Sequence, residues 1–423
     1  MHKQIDNTLD VKRLLMEFYN TLELSVDLSE MSGKTCQGIR IDGDFVVAYY
    51  SEAKLAEVTS CLIRNKTIGD NYTYKALKSL VSKRIITVFV KEPNEIQIRI
   101  DELLKELLTA IPDVMNVYMC IQGMSDVRRV KLGEFEFIPN ADYEKIGIKY
   151  FNEQIALHIR EDLWRSHDHV MVSVSACESV KAQEKAYAEF QWLENAARLF
   201  VDSDFYDIGI TSFNCSTVEN SLVTSADGVM RGVSSRLKGS PVSLPFTKVF
   251  DPGNNLCRIV EKLGRSQNDL TPLQRRIRHA VYLGGLSVHE TVPEMAYFLC
   301  VSAMEALFQS ETDKYVNPSI AQQIVETFCY LIVDEKNRRE VFDQMRLFYG
   351  KRSAIAHGGK TIVTIDDAKL VRNYLRAAIL KFIDDPVLSS LKSINEVSAI
   401  IRDKKFGVKK TIGLHHESGG KLN

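Results

Sequence analysis

Arg352 and His357 have the residue types and spacing best suited to chemistry, standing five positions apart in Phe348-Tyr349-Gly350-Lys351-Arg352-Ser353-Ala354-Ile355-Ala356-His357-Gly358. A guanidinium holds a phosphate by its planar fork and stabilises charge that grows in a transition state. An imidazole moves protons to or from a ribose 2′-hydroxyl or a leaving oxygen. Together they suit cleavage of a phosphodiester without a metal. The bare spacing is a weak signal. Arg160 and His167 form a second match, beside Asp162, Trp164 and Asp168, where no inward stripe supports it.

The elements that must position the pair strengthen the first match. Val341, Met345, Phe348 and Ile355 recur at steps of four, three and seven, and the missing member of that stripe is Arg352. The spacing predicts a helix over 336–357 with the guanidinium turned inward. Gly358-Gly359 supplies the helix stop. His357 then lies in the last turn or cap, beside the free backbone carbonyls of the helix end. Residues five apart on an ideal helix are separated by ~140° of rotation. One copy would therefore not converge on one phosphate, whereas two copies across a two-fold axis would. Upstream, Met295 to Phe308 is apolar on every side except at Ser302 and Glu305, which predicts a central helix. Glu305 shares a stripe with Phe298, Val301 and Phe308, and a carboxylate buried there alone would be costly. Arg352 is the strong cation that the pattern also turns inward, so a Glu305–Arg352 pair is expected, with Glu305 orienting His357 as the alternative. Tyr349 reads as core packing.

The rest of the chain reads as α+β: mixed α/β N-terminal regions followed by an all-α bundle. Residues 1–150 form a first mixed domain, with an Asp42-Gly43 hairpin, a strand at Ile85–Val90, a helix at 96–110 and strands at Val117–Ile121 and Phe135–Ile138. Residues 151–255 form a second mixed segment, with strands at Val170–Val174 and Ile208–Phe213, a long helix at 178–201, and a loop from Ala226 to Pro252. After a boundary near 255–268 comes the bundle, 268–390, with helices at 272–287, 291–310, 318–333, 336–357 and 366–384. Thr271-Pro272-Leu273-Gln274 opens its first helix as a capping box with proline at the first helical position. Residues 396–423 read as a basic flexible tail, frayed from Arg402 on.

Composition narrows the function. With 423 residues, 54 Lys+Arg and 55 Asp+Glu, the chain is neither a basic nucleic-acid coat nor an acidic disordered tail. Eight scattered cysteines with no CxxC pair argue against a zinc cluster or a disulfide framework. Cys300 and Cys329 read as small buried hydrophobes. The N-terminus lacks a signal core, and no apolar run reaches membrane-spanning length, so a soluble cytoplasmic protein is expected. No P-loop, Rossmann fingerprint, HExxH or GxSxG motif occurs. His167-Asp168-His169 resembles a ligand pair but has no third ligand at a helpful spacing, so it reads as a surface turn and no metal or cofactor is expected. Lys351, Arg275, Arg276, Arg278, Lys404 and Lys405 are candidate RNA-phosphate contacts, weighed against solvated helix faces.

The segment Ala303-Met304-Glu305-Ala306-Leu307-Phe308, followed by Phe348 to Gly358, resembles the HEPN superfamily (higher eukaryotes and prokaryotes nucleotide-binding), most closely its Apea-like branch. The resemblance covers about residues 270–385. It implies a helical, usually dimeric domain, many of whose relatives are metal-independent endoribonucleases of prokaryotic antiviral defence, abortive-infection and toxin systems. The family's Arg and His carry over to Arg352 and His357, and the polar residue after the Arg to Ser353, a departure from the Asn, Asp or His common there. The implied partners are RNA of unspecified class, a second copy of the chain and a regulatory protein, with residues 1–255 sensing a trigger. The competing reading is a non-catalytic dimerisation or nucleotide-binding module, in which Arg352 and Glu305 form a structural ion pair.

Overall fold

Short polar side chains set where many of the helices begin. Ser51, Asn65, Thr73, Asn254, Thr271, Thr364 and Ser393 each accept a backbone N–H from the helix they precede. The computed structural model describes residues 2–24, 35–41, 44–142, 167–201, 209–211, 215–239, 244–251, 253–309, 320–358 and 361–407. The chain starts with α1 (His2–Tyr19), β1 (Glu23–Leu24), β2 (Thr35–Ile41) and β3 (Asp44–Tyr50). Helices α2 (Glu52–Ile63), α3 (Lys66–Gly69), α4 (Tyr74–Lys91) and α5 (Ile96–Thr109) follow. Next come β4 (Asp113–Ile121), β5 (Met124–Ser125), β6 (Val130–Leu132), β7 (Phe135–Ile138) and β8 (Asp168–Ala176). Helix α6 (Ser179–Val201) leads to β9 (Cys215–Ser225), β10 (Met230–Gly239) and β11 (Leu244–Pro245). The remainder is helical: α7 (Phe246–Val249), α8 (Asn255–Leu263), α9 (Pro272–Leu286), α10 (Pro293–Phe308), α11 (Ile320–Leu331), α12 (Arg338–Ala356), α13 (Ile365–Asp384) and α14 (Ile394–Lys405). The fold is thus α+β, with N-terminal sheets and helices and an all-helical C-terminal region. Among the described residues, no helix is long and apolar enough to cross a membrane.

Two compact units interleave along the chain. One comprises 1–120, 140–188 and 218–236; the other comprises 121–139, 189–217 and 237–423.

In the first unit, α1, α2, α4 and α5 share one apolar core that includes Leu15, Phe18, Val58, Leu62, Ile85, Ile86, Ile100 and Leu107. Ile85–Val90, expected as a strand, is the last part of α4. Helix propensities of β-branched residues differ from alanine by under ~1 kcal/mol each, less than is gained by burying Ile85 and Ile86 in this core. Strands β1, β3 and β2 form an antiparallel sheet with Ile41 opposite Asp44. The Asp42-Gly43 turn itself lies outside the described residues. Four more strands run in the order β10-β9-β4-β8, with β4 antiparallel to β9 and Met115 opposite Ser225. Part of the stretch expected as a loop, 226–252, is therefore β10, a polar strand held by its ladder rather than by an apolar pattern of its own.

In the second unit β6 and β7 form a hairpin, with Leu132 opposite Phe135. Its turn needs glycine twice over: Gly133 has φ +58°, and a Cβ there would stand 2.3 Å from the Gly264 carbonyl oxygen. Only residues 209–211 of the strand expected at Ile208–Phe213 are described, and Gly209 bridges Gln122. Helix α10 packs against α9, α11, α12 and α13. A run of aromatic contacts ties these helices together, from Phe308 through Phe328 and Tyr374 to Phe348 and Tyr297. The second half of α6 lies so close to α9 that a Cβ on Gly285 would be 2.1 Å from the Asn195 carbonyl oxygen. The five bundle helices expected from periodicity form within two residues of the expected bounds. A sixth, α14, occupies the start of the expected tail; residues 408–423 lie outside the described residues.

Candidate active site

The candidate site lies where the C-terminal half of α12 meets the C-terminal half of α10. Along α12, Met345 and Phe348 are buried, and Val341, Arg352 and Ile355 are half-buried on the same stripe. Arg352 occupies the inward position that the spacing assigns it, with its side chain 22% exposed. Helix α10 is not covered all round. Met295 is 45% exposed, and Phe298, Ser302 and Glu305 are half-buried, so the face carrying Glu305 is partly open.

The expected ion pair forms. Arg352 Nη2 donates to Glu305 Oε2 at 2.8 Å. The guanidinium carbon sits 5.0 Å from the centre of the Phe298 ring and 5.9 Å from that of Tyr349, which adds cation–π attraction from both rings. Tyr349, expected as core packing, donates its hydroxyl to Glu305 Oε1 at 2.9 Å. Burial, together with the Glu305 carboxylate, pushes the Tyr349 hydroxyl up to about 12, so it remains a donor across the neutral range. The signal for this role was its i, i+3 spacing from Arg352, which puts both residues within reach of one carboxylate. Arg352 Nε is buried and has no hydrogen-bond partner among the described residues.

His357 is the C-cap of α12, and its backbone N–H donates to the Ser353 carbonyl at 3.1 Å. The residue is exposed, and its ring makes no hydrogen bond to the described residues. Gly358 follows at φ +68°, the left-handed conformation of a helix stop. Glu305 is engaged by Arg352 and Tyr349, not by the imidazole. Ser353 is half-buried and contributes its carbonyl to the cap.

Most of the expected RNA-facing cations have other work. Lys351 pairs with Asp367 at 2.8 Å, and that hydrogen bond holds the Asp367 carboxyl below its usual range. Arg276 donates to the Ala306 and Gln309 carbonyls at the end of α10. Arg278 is buried: it binds the Leu263 and Arg265 carbonyls, pairs with Glu189 and stacks 4.2 Å from the Trp192 ring. Lys404 and Lys405 belong to α14 rather than to a loose tail. Lys404 donates to the Tyr330 carbonyl at 3.0 Å, and Lys405 pairs with Glu326. Periodicity shows which face a long cation lies on, not whether a carbonyl waits for it. Arg275 alone of the α9 trio is exposed.

Arg160, Asp162 and Trp164 lie outside the described residues. Asp168 accepts the Asn140 N–H at 2.8 Å. His169 is fully buried, and burial, reinforced by the neighbouring His167, lowers its pKa to about 3. Among the described residues no group of three His, Cys, Asp or Glu side chains is arranged to hold a metal ion. No known protein family, curated protein or solved structure matches the chain.

Proposed function

We propose that this chain is a metal-independent endoribonuclease of the HEPN kind, working as a homodimer in a prokaryotic defence or toxin-type system. The observation that carries the reading is the contrast at the end of α12: a guanidinium held by Glu305, and an imidazole left exposed at the cap. His357 takes the proton from a ribose 2′-hydroxyl, and the oxygen attacks the adjacent phosphorus. Arg352 binds the phosphate and stabilises its growing charge. The bond to the 5′ oxygen breaks, and an imidazolium returns a proton to that oxygen. The products are a 2′,3′-cyclic phosphate and a 5′-hydroxyl. Because Arg352 and His357 diverge by ~140° and about 7.5 Å on an ideal helix, the guanidinium and the imidazole that meet one phosphate come from two copies of the chain. The N-terminal region senses the trigger or restrains the nuclease.

The test is incubation of total RNA with the protein in EDTA, comparing wild type with Arg352→Ala and His357→Ala. Cleavage by wild type alone is expected; equal cleavage by all three excludes this site. A non-catalytic nucleotide-binding or dimerisation module is the second reading. It is favoured by the fact that Glu305 already neutralises Arg352, and it predicts binding of RNA with no cyclic-phosphate product.

A further inference from the structure

The hydrogen bonding around Glu305 is unusual for an Arg–carboxylate pair. Such pairs commonly close a two-bond fork. Here one carboxylate oxygen takes Arg352 Nη2, and the other takes the Tyr349 hydroxyl. The two donors come from positions three apart on α12, and the acceptor comes from α10. Arg352 Nε is buried without a partner among the described residues and is the donor that a fork would recruit. Nη1 makes no hydrogen bond to the described residues and is not among the buried unpaired atoms.

We infer that Tyr349 is a positioning residue, whose hydroxyl occupies one oxygen of Glu305 and so keeps Arg352 on a single hydrogen bond with a free edge for phosphate. This rests on the endoribonuclease reading, in which Arg352 grips the phosphate. Without the hydroxyl, Glu305 closes the fork on Nε and Nη2. The guanidinium is then more fully neutralised, and phosphate binding weakens. Phe298 and the Tyr349 ring remain within cation–π distance, so the packing of the site is unchanged. The role differs from core packing because it resides in one oxygen atom, which Tyr349→Phe removes while keeping the ring.

Two measurements test the inference. The first is the rate at which phenylglyoxal labels Arg352, read by peptide mass spectrometry, in wild type, Tyr349→Phe, Glu305→Gln and the double variant. Loss of the hydroxyl is expected to slow labelling roughly tenfold, the worth of one charge-assisted hydrogen bond. In the Glu305→Gln background the same change is expected to make no difference, since no carboxylate remains to close a fork. The second is steady-state cleavage of an RNA oligonucleotide, in which Tyr349→Phe is expected to lower kcat/KM roughly tenfold. Equal labelling of wild type and Tyr349→Phe overturns the inference, as does a difference that persists once the carboxylate has been replaced by the amide. If wild type cleaves no RNA, the endoribonuclease reading falls, while the labelling still decides whether Tyr349 holds the bridge open.

Discussion

Replacing Arg278 by Met is expected to destabilise the helical unit strongly, and replacing Glu189 as well is expected to restore most of that loss. The Arg278 side chain is 5% exposed and that of Glu189 is 16% exposed. Burial raises the Glu189 carboxyl above its usual range even with Arg278 beside it, and burial lowers the Arg278 guanidinium. Both directions say that desolvation outweighs the attraction between the two charges. Removing Arg278 alone leaves the carboxylate buried and unpaired, which costs about 3–5 kcal/mol. Replacing Glu189 by Met in the same chain removes that charge. What remains is the loss at the Leu263 and Arg265 carbonyls, about 1–3 kcal/mol. Urea unfolding followed by tryptophan fluorescence suits the measurement, because Trp192 stacks on Arg278 and donates to its carbonyl at 3.1 Å. The pH dependence has a definite sign. A carboxyl with a raised folded-state pKa binds its proton more tightly in the native state, so stability falls as pH rises above the ordinary value of 4.5. The defect of the single variant is therefore smaller at acid pH than at pH 8. A single-variant cost under about 1 kcal/mol, typical of a surface pair, would refute this reasoning, as would a double variant no more stable than the single one.

The remaining predictions concern stability elsewhere. His169 has a folded-state pKa of about 3 against 6.5 unfolded, so the stability it contributes is present above pH 6.5 and is lost as pH falls toward 3, at about 1.4 kcal/mol per unit. His169→Phe is expected to flatten that slope in denaturation curves taken between pH 7 and pH 4; an unchanged slope would place its cause in other groups. Gly350 lies inside α12, where an added Cβ meets nothing, so Gly350→Ala is expected to gain about 1 kcal/mol and to melt higher. Gly285→Ala is expected to lose about 1–3 kcal/mol, because its Cβ would collide with the Asn195 backbone. Thermal melts that rank these two variants the other way would show that the α6–α9 approach is looser than described.

Much of the helical unit was legible in local chemistry. The capping box of Thr271, Pro272 and Gln274 opens α9 as the residue types dictate, and both halves of the box form. The stripe through Val341, Met345 and Phe348 turned Arg352 inward, and Glu305 was the carboxylate available to meet it. These inferences work because helix periodicity is a property of neighbouring residues, and because an inward charge must find its opposite. Ile85–Val90 was misread for the complementary reason. A short apolar, β-branched run fits either a strand or a helix, and the helices packed around it decide.

Sequence by itself determined where the bundle helices start and stop, which residue of α12 points inward, and that His357 sits at a glycine-terminated helix end. Only the tertiary structure decided that Arg276 and Arg278 serve carbonyls and Glu189, that Lys404 and Lys405 are held against α11, and that Tyr349 shares Glu305 with Arg352. The physical reason is range. Caps and periodicity act over one or two turns, whereas the partner of a long polar side chain can stand dozens of residues away and is chosen by packing.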